Sequence, residues 1–290
     1  FALGSPRFLS ISNIKTVING AAVGGTLALG MTFVLILGGI DLSVGSTVTL
    51  TTVVLAFSLV HWHIPPVLAI VLGLLTGSAV GLVNGILVVR AGVPAIIVTL
   101  GTMSIVQSIA SFVTKGAITS ITDFPLVTFF GQGYVRGIPV PAIVLIILTI
   151  ICYILLNRTT FGTYVRAIGG NKQACVLMGL NVPGYQIATY LLSGLMAGIA
   201  GLIVAGRLSM GSSQAGLGLE LPAIAAAVRG GTSLTGGQGT VIGALIGALI
   251  MSVLFNGLIL LGVPFFYQLV ATGVVLVVAI AFNEAVRRFG

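Results

Sequence analysis

Charge is what this chain has least of. Among 290 residues there are 4 Asp or Glu and 12 Lys or Arg, together 6%, against about 25% in a soluble domain. So few charges cannot cover a soluble protein of this size, which excludes that class. Cysteine is almost missing. Cys152 lies in an apolar run and Cys175 in a polar stretch, a placement that argues against a disulfide. Strict alternation of polar and apolar residues is absent, which excludes a membrane β-barrel. The basic residues stand singly, with no run and no interleaved aromatics, so nucleic acid is not a partner. There is no G-x-x-x-x-G-K-[ST] loop, no H-E-x-x-H and no C-x-x-C, so an enzyme, and ATP hydrolysis in particular, is not expected of this chain. No cofactor is expected in it. His61-Trp62-His63 offers too few ligands for a metal, and Trp at a membrane interface explains the cluster better. Nor is there the ladder of intramembrane acids that many proton-driven carriers use. Energy coupling is therefore expected from outside the chain.

What is present is apolar. Hydrophobic types make up 57% and mean hydropathy is +1.24. The apolar stretches are about as long as a bilayer requires of a helix. Hydropathy predicts spans near 17–38, 45–60, 66–89, 94–113, 139–156, 187–207, 241–262 and 267–283. A shorter piece over 219–229 reaches only half-way through a bilayer at about 1.5 Å per residue. The expectation is an all-α, polytopic membrane protein forming one transmembrane domain over 1–290. The chain opens on Phe1 without a charged leader, so a leading segment, including a further span, is expected ahead of it.

Glycine is abundant, 41 residues, roughly twice the usual share. It falls in two patterns. Gly73, Gly77, Gly81 and Gly85 recur every four residues and make one stripe on a helix, which permits close approach of another helix. Gly194/Gly198 and Gly243/Gly247 repeat the spacing. The other pattern is two breaks, GGIDLSVG at 38–45 and GGTSLTGG at 230–237. Non-helical backbone at membrane depth must be buried in protein or line a cavity. Interrupted segments in two halves of a chain also point toward a transport site, although chance similarity in a Gly-rich chain explains the resemblance between them as well.

The polar residues near these breaks are the candidates. Asp41 is an acid inside an apolar run, a functional signal by default, and equally a cap for the following helix. Glu220 opens the short helix and reads as first-turn chemistry or as a second functional acid. Arg229 suits the negative end of that helix. Asn84 and Asn256 either face a polar pathway or bond across helices. The longest polar stretch, 157–186, carries Arg158, Arg166 and Lys172 and no acid. The positive-inside rule puts it in the cytoplasm.

Five segments in order carry a resemblance: GGIDLSVG at 38–45, AIIVTLGTMS at 95–104, FGTYVRAIGGN at 161–171, ELPAIAAAVRGGTSLTGGQG at 220–239 and NGLILLGV at 256–263. Together they resemble the permease subunit of ribose-type ABC sugar importers, the branch that includes ribose, xylose, galactose and autoinducer-2 systems. The resemblance covers essentially the whole chain. It implies a family fold of about ten helices, about nine of them here, in a bacterial-type inner membrane among its lipids. It implies a second permease copy or a sibling permease, a cytoplasmic ATPase that holds ATP and Mg, and an extracytoplasmic sugar-binding protein. It also gives 161–186 a role as the coupling loop. Gln173, Ala174, Cys175 and Gly179 match the loose E-A-A-x-x-x-G pattern that docks on the ATPase, with Asn171 just ahead and with Gln and Cys as departures. Pro222 departs from an acid or polar residue usual in the family, and Arg229 from an apolar one. Both leave the sugar open. On this reading Asp41, Ser43, Thr232 and Ser233 shape a gate at the breaks, with Asn84, Glu220 and Asn256 along the path. The chain is expected to import a monosaccharide by alternating access. Autoinducer-2, a nucleoside or a branched-chain amino acid are alternative cargoes, and an ion-coupled carrier is the alternative of another class.

Overall fold

The computed structural model describes residues 1, 5–264, 266–268, 270, 273–274 and 278. Among them the chain runs through eleven helices and four two-residue strands. The helices are α1 (Ile11–Ile36), α2 (Val44–Val60), α3 (Pro66–Arg90), α4 (Ala95–Thr114), α5 (Pro125–Gln132), α6 (Val140–Arg158), α7 (Thr160–Gly170), α8 (Lys172–Leu177), α9 (Val182–Leu208), α10 (Glu220–Arg229) and α11 (Val241–Leu260). The strands are β1 (Thr119–Ser120), β2 (Tyr134–Val135), β3 (Ile138–Pro139) and β4 (Met210–Gly211), paired as β1–β4 and β2–β3.

Six of the helices, α1, α3, α4, α6, α9 and α11, are long and apolar enough to cross a membrane. They answer to six of the expected spans. The span at 45–60 is α2, a shorter helix of 17 residues. The piece at 219–229 is α10, with 10 residues. It is half a crossing, the short helix expected beside the Gly-rich break. The last expected span, 267–283, lies mostly outside the described residues. Proline opens the first turn of α3, α5, α6 and α9, where its missing N–H costs nothing and its fixed φ suits the helix. α1 begins six residues before the hydropathy boundary, because the Ser10 side chain accepts the Asn13 N–H and caps it.

α1 and α9 form the centre. In their most apolar stretches 72% and 67% of residues are buried, against 28% for α3 and 22% for α4. The glycine stripes set the closest contact. Gly77 of α3 lies against the backbone of Gly194 and Gly198, Gly81 against Tyr190 and Gly194, and Gly85 against Ile187. The register runs backwards along α9, so the two helices are antiparallel. Gly73 instead meets Thr51 and Leu55 of α2. Gly243 and Gly247 of α11 serve the same purpose against Gly230 and Ala226. At close approach of this kind, dispersion between backbones and small side chains replaces the hydrophobic drive that lipid removes.

α7 docks on the end of the bundle through Phe161, Val165 and Ile168, one face of a helix at i, i+4 and i+7. Phe161 stands between Phe33 of α1 (centroids 6.2 Å apart) and Tyr185 of α9 (5.9 Å). Arg166 donates to the Leu156 carbonyl at 3.0 Å and to Asn157 Oδ1 at 2.7 Å. It thereby occupies a carbonyl left unpaired at the end of α6. The two small sheets lie at the opposite end.

Candidate functional site: two breaks and an exposed helical tip

α1 stops at Ile36 and α2 starts at Val44. Between them Asp41 is only 1% exposed, and three elements satisfy its carboxylate. The Ser43 N–H and Oγ–H donate to Oδ1 at 3.0 and 2.7 Å. Ser193 Oγ of α9 donates to Oδ2 at 2.8 Å. Asn84 Nδ2 of α3 donates to Ser43 Oγ at 2.8 Å and reaches Oδ1 at a long 3.5 Å. Asp41, Ser43 and Asn84 are thus brought together, as the sequence invites. Ser193 was missed: its partner lies 152 positions away. Two buried atoms beside this cluster, Asn84 Oδ1 and Tyr190 Oη, have no partner.

Glu220 sits at the first turn of α2 as well as at the first turn of its own helix. A Cβ on Gly45 would strike its carboxylate, which accepts the backbone N–H groups of Gly218 and of Glu220 itself. Two acids therefore face the positive end of one broken helix. Ahead of Glu220, residues 212–219 run without regular structure beside α2 and are held by side chains. Thr49 Oγ1 accepts the Gly216 N–H at 3.0 Å, and Gln107 Nε2 donates to the Ser213 carbonyl at 2.6 Å. This segment, Gln107 and Thr49 were not singled out by the sequence. A single Gln in an apolar span is their only signal. The other face of the segment walls a cavity of about 640 Å³ between α1, α9, α10 and α11, where Pro222, Met251 and Phe255 also contribute.

The second break differs. Ser233 and Thr235 bond to each other at 2.8 Å, and the Ser233 N–H donates to the Gln238 carbonyl at 3.0 Å. Thr232 is buried, and its hydroxyl has no partner. Arg229 leaves α10 toward Met251 Sδ at 2.7 Å. Asn256 is placed apart from both breaks. It exchanges two amide bonds of 2.9 Å with Asn13, joining α1 to α11.

In the polar stretch Asn171 caps α8, its Oδ1 accepting the Ala174 N–H at 2.9 Å. Cys175 faces the core, where Cys152 is also buried, and both thiols are free. Gln173 faces solvent. Gly179 adopts φ +76°, a left-handed turn suited to glycine. Between them Leu177 is 88% and Met178 69% exposed. This is a pair of large apolar side chains at a polar end of the bundle. Among the described residues no group of three His, Cys, Asp or Glu could hold a metal.

Residues 13–280 match the family described as the permease component of the branched-chain amino acid transport system. The chain is 43% identical to the ribose import permease protein RbsC of Bacillus subtilis (strain 168), over 97% of its length and 87% of that protein's. It is 41% identical to the ribose import permease protein RbsC of Escherichia coli (strain K12), over 95% and 87%. It is 40% identical to the L-arabinose ABC transporter permease protein AraH of Azospirillum brasilense, over 98% and 83%. No solved structure matches.

Proposed function

We infer the function from the family: the chain belongs to the permease components of the branched-chain amino acid transport type and, within them, to the ribose-type sugar ABC permeases. It is a multi-pass inner-membrane protein and the permease subunit of an ABC sugar importer. The finer reading is ours. ATP and Mg are held by a separate cytoplasmic ATPase, and a sugar-binding protein delivers a pentose or similar monosaccharide from outside. The end of the bundle carrying α7 and α8 faces the cytoplasm, in keeping with Arg158, Arg166 and Lys172.

The observation that carries the coupling role is the exposed tip of α8. Leu177 and Met178 stand in water with no cover, although large apolar groups there are costly to leave wet. An ATPase groove would bury them, and Gly179 would turn the chain away. The substrate path runs past the two breaks. Movement of α7 and α8 on ATP binding would shift the helices about a central route that opens alternately to each side. Asp41, Ser43 and Asn84 fix the first break with Glu220 at the head of α2, and Thr232 and Ser233 lie in the second. The path itself binds weakly, since tight binding would slow release.

The test is uptake of radiolabelled ribose, arabinose and allose by proteoliposomes holding this permease, its ATPase and its binding protein. Uptake of at least one that requires ATP and survives an ionophore is expected. Uptake that needs no ATPase and collapses with an ionophore would replace this reading with an ion-coupled carrier.

A further inference from the structure

The two breaks and the amphipathic helix α7 meet at one point, and they meet through backbone. The Gly237 N–H donates to the Ile36 carbonyl at 2.8 Å, joining the second break to the last turn of α1. Gly169 of α7 lies on the same carbonyl. A Cβ there would sit on the Ile36 oxygen and 2.7 Å from the Gly237 nitrogen. A Cβ on Gly236 would be 2.6 Å from the Gly169 carbonyl oxygen and 3.1 Å from Gly38 Cα. No side chain intervenes that could change rotamer and absorb a displacement. Side-chain contacts yield by hopping between wells, whereas backbone in van der Waals contact must move together or separate. The aromatic row Phe33–Phe161–Tyr185 holds α7 to α1 and α9 just beside this point.

We propose that Gly169, Ile36, Gly236 and Gly237 form a backbone clamp that carries displacement of the α7–α8 unit to both broken helices at once. Gly169 is the positioning residue. The clamp rests on the coupling reading above and adds where its movement enters the membrane. It requires α7 and the second break to travel as one body.

The experiment uses the full permease–ATPase complex with spin labels at exposed positions. One pair is Thr163→Cys on α7 with Gln238→Cys beside the second break, and the other is Thr163→Cys with Ser108→Cys on α4. Distances are read without nucleotide and with ATP plus vanadate. The clamp predicts that the first separation holds constant while the second changes. A change in the first as large as in the second overturns it, with no need for a clamp mutant to fold. Gly169→Ala is then added, with Gly170→Ala as its control, because a Cβ on Gly170 meets nothing within 4 Å. The expected result is that Gly169→Ala keeps its ATPase but loses the nucleotide-driven change in the second pair, while Gly170→Ala keeps both. A nucleotide response in Gly169→Ala equal to the parent's overturns the clamp. If the parent itself retains no ATPase, the coupling reading fails and the clamp with it.

Discussion

The two Gly-rich breaks share a sequence pattern and are built in opposite ways. At 38–45 a buried carboxylate gathers donors from Ser43 in the break and Ser193 on α9, while Asn84 of α3 bonds Ser43 Oγ and reaches the carboxylate at a long 3.5 Å. At 230–237 the polar groups bond within the turn itself, Ser233 to Thr235 and to the Gln238 backbone, and the Thr232 hydroxyl bonds to nothing. The first break is anchored to the helices around it by side chains, whereas the second meets α1 and α7 through backbone. A hydrogen bond contributes about 0.5–1.5 kcal/mol net, and leaving a buried partner unmade costs about 1–3 kcal/mol. The side-chain anchor therefore ties the first break to α3 and α9. The second is joined to α1 by the Gly237–Ile36 backbone bond, and Gly236 packs on the backbone of Gly169 and Gly38. Similar sequence at two places in a membrane protein thus gives one break held by side chains and one packed through backbone, depending on what the neighbouring helices donate.

The contrast is broken most severely by Asp41→Ala. It leaves the donors of Ser43 and Ser193 buried without their acceptor, at about 1–3 kcal/mol for each. Loss of the monodisperse detergent-solubilised protein, or a large fall in its thermal midpoint, is expected. An unchanged midpoint would show that the carboxylate anchors nothing. Ser193→Ala removes one donor and should cost about 1–3 kcal/mol by the same measurement. Ser233→Ala breaks only a local turn contact and should cost about 0.5–1 kcal/mol at most, well below Ser193→Ala. Thr232→Val comes last. It exchanges an unpartnered buried hydroxyl for a methyl of the same shape and should be neutral or slightly stabilising. If Ser233→Ala proves as damaging as Ser193→Ala, the second break is also anchored and the contrast disappears.

Much of the fold is legible in the residues. Runs of apolar residues give the long helices, and first-turn prolines and the glycine stripes give their ends and closest packing. Asp41 announces itself as an acid in an apolar run. What it bonds to does not, because Ser193 is one hydroxyl in a helix whose register only the packed bundle decides. Asn256 shows the reverse. Its type allowed a pathway or a bond across helices, and the structure shows the bond, to Asn13 243 positions away. Glu220 was read against its own helix, and only folding brings it to Gly45 at the head of α2. The segment 212–219 carries no periodicity, so nothing local foretells that Thr49 and Gln107 hold it.

The central claim is that this permease works only with a separate ATPase docked at the tip of α8. Mild-detergent purification from its own membrane, with the co-purifying proteins identified, tests it most directly. The account predicts a stoichiometric P-loop ATPase with the parent chain. It predicts none with Leu177→Asp, whose change lies at an exposed position and should leave the fold intact. A chain that emerges alone from every detergent, or a Leu177→Asp variant that keeps its ATPase in full, would contradict it.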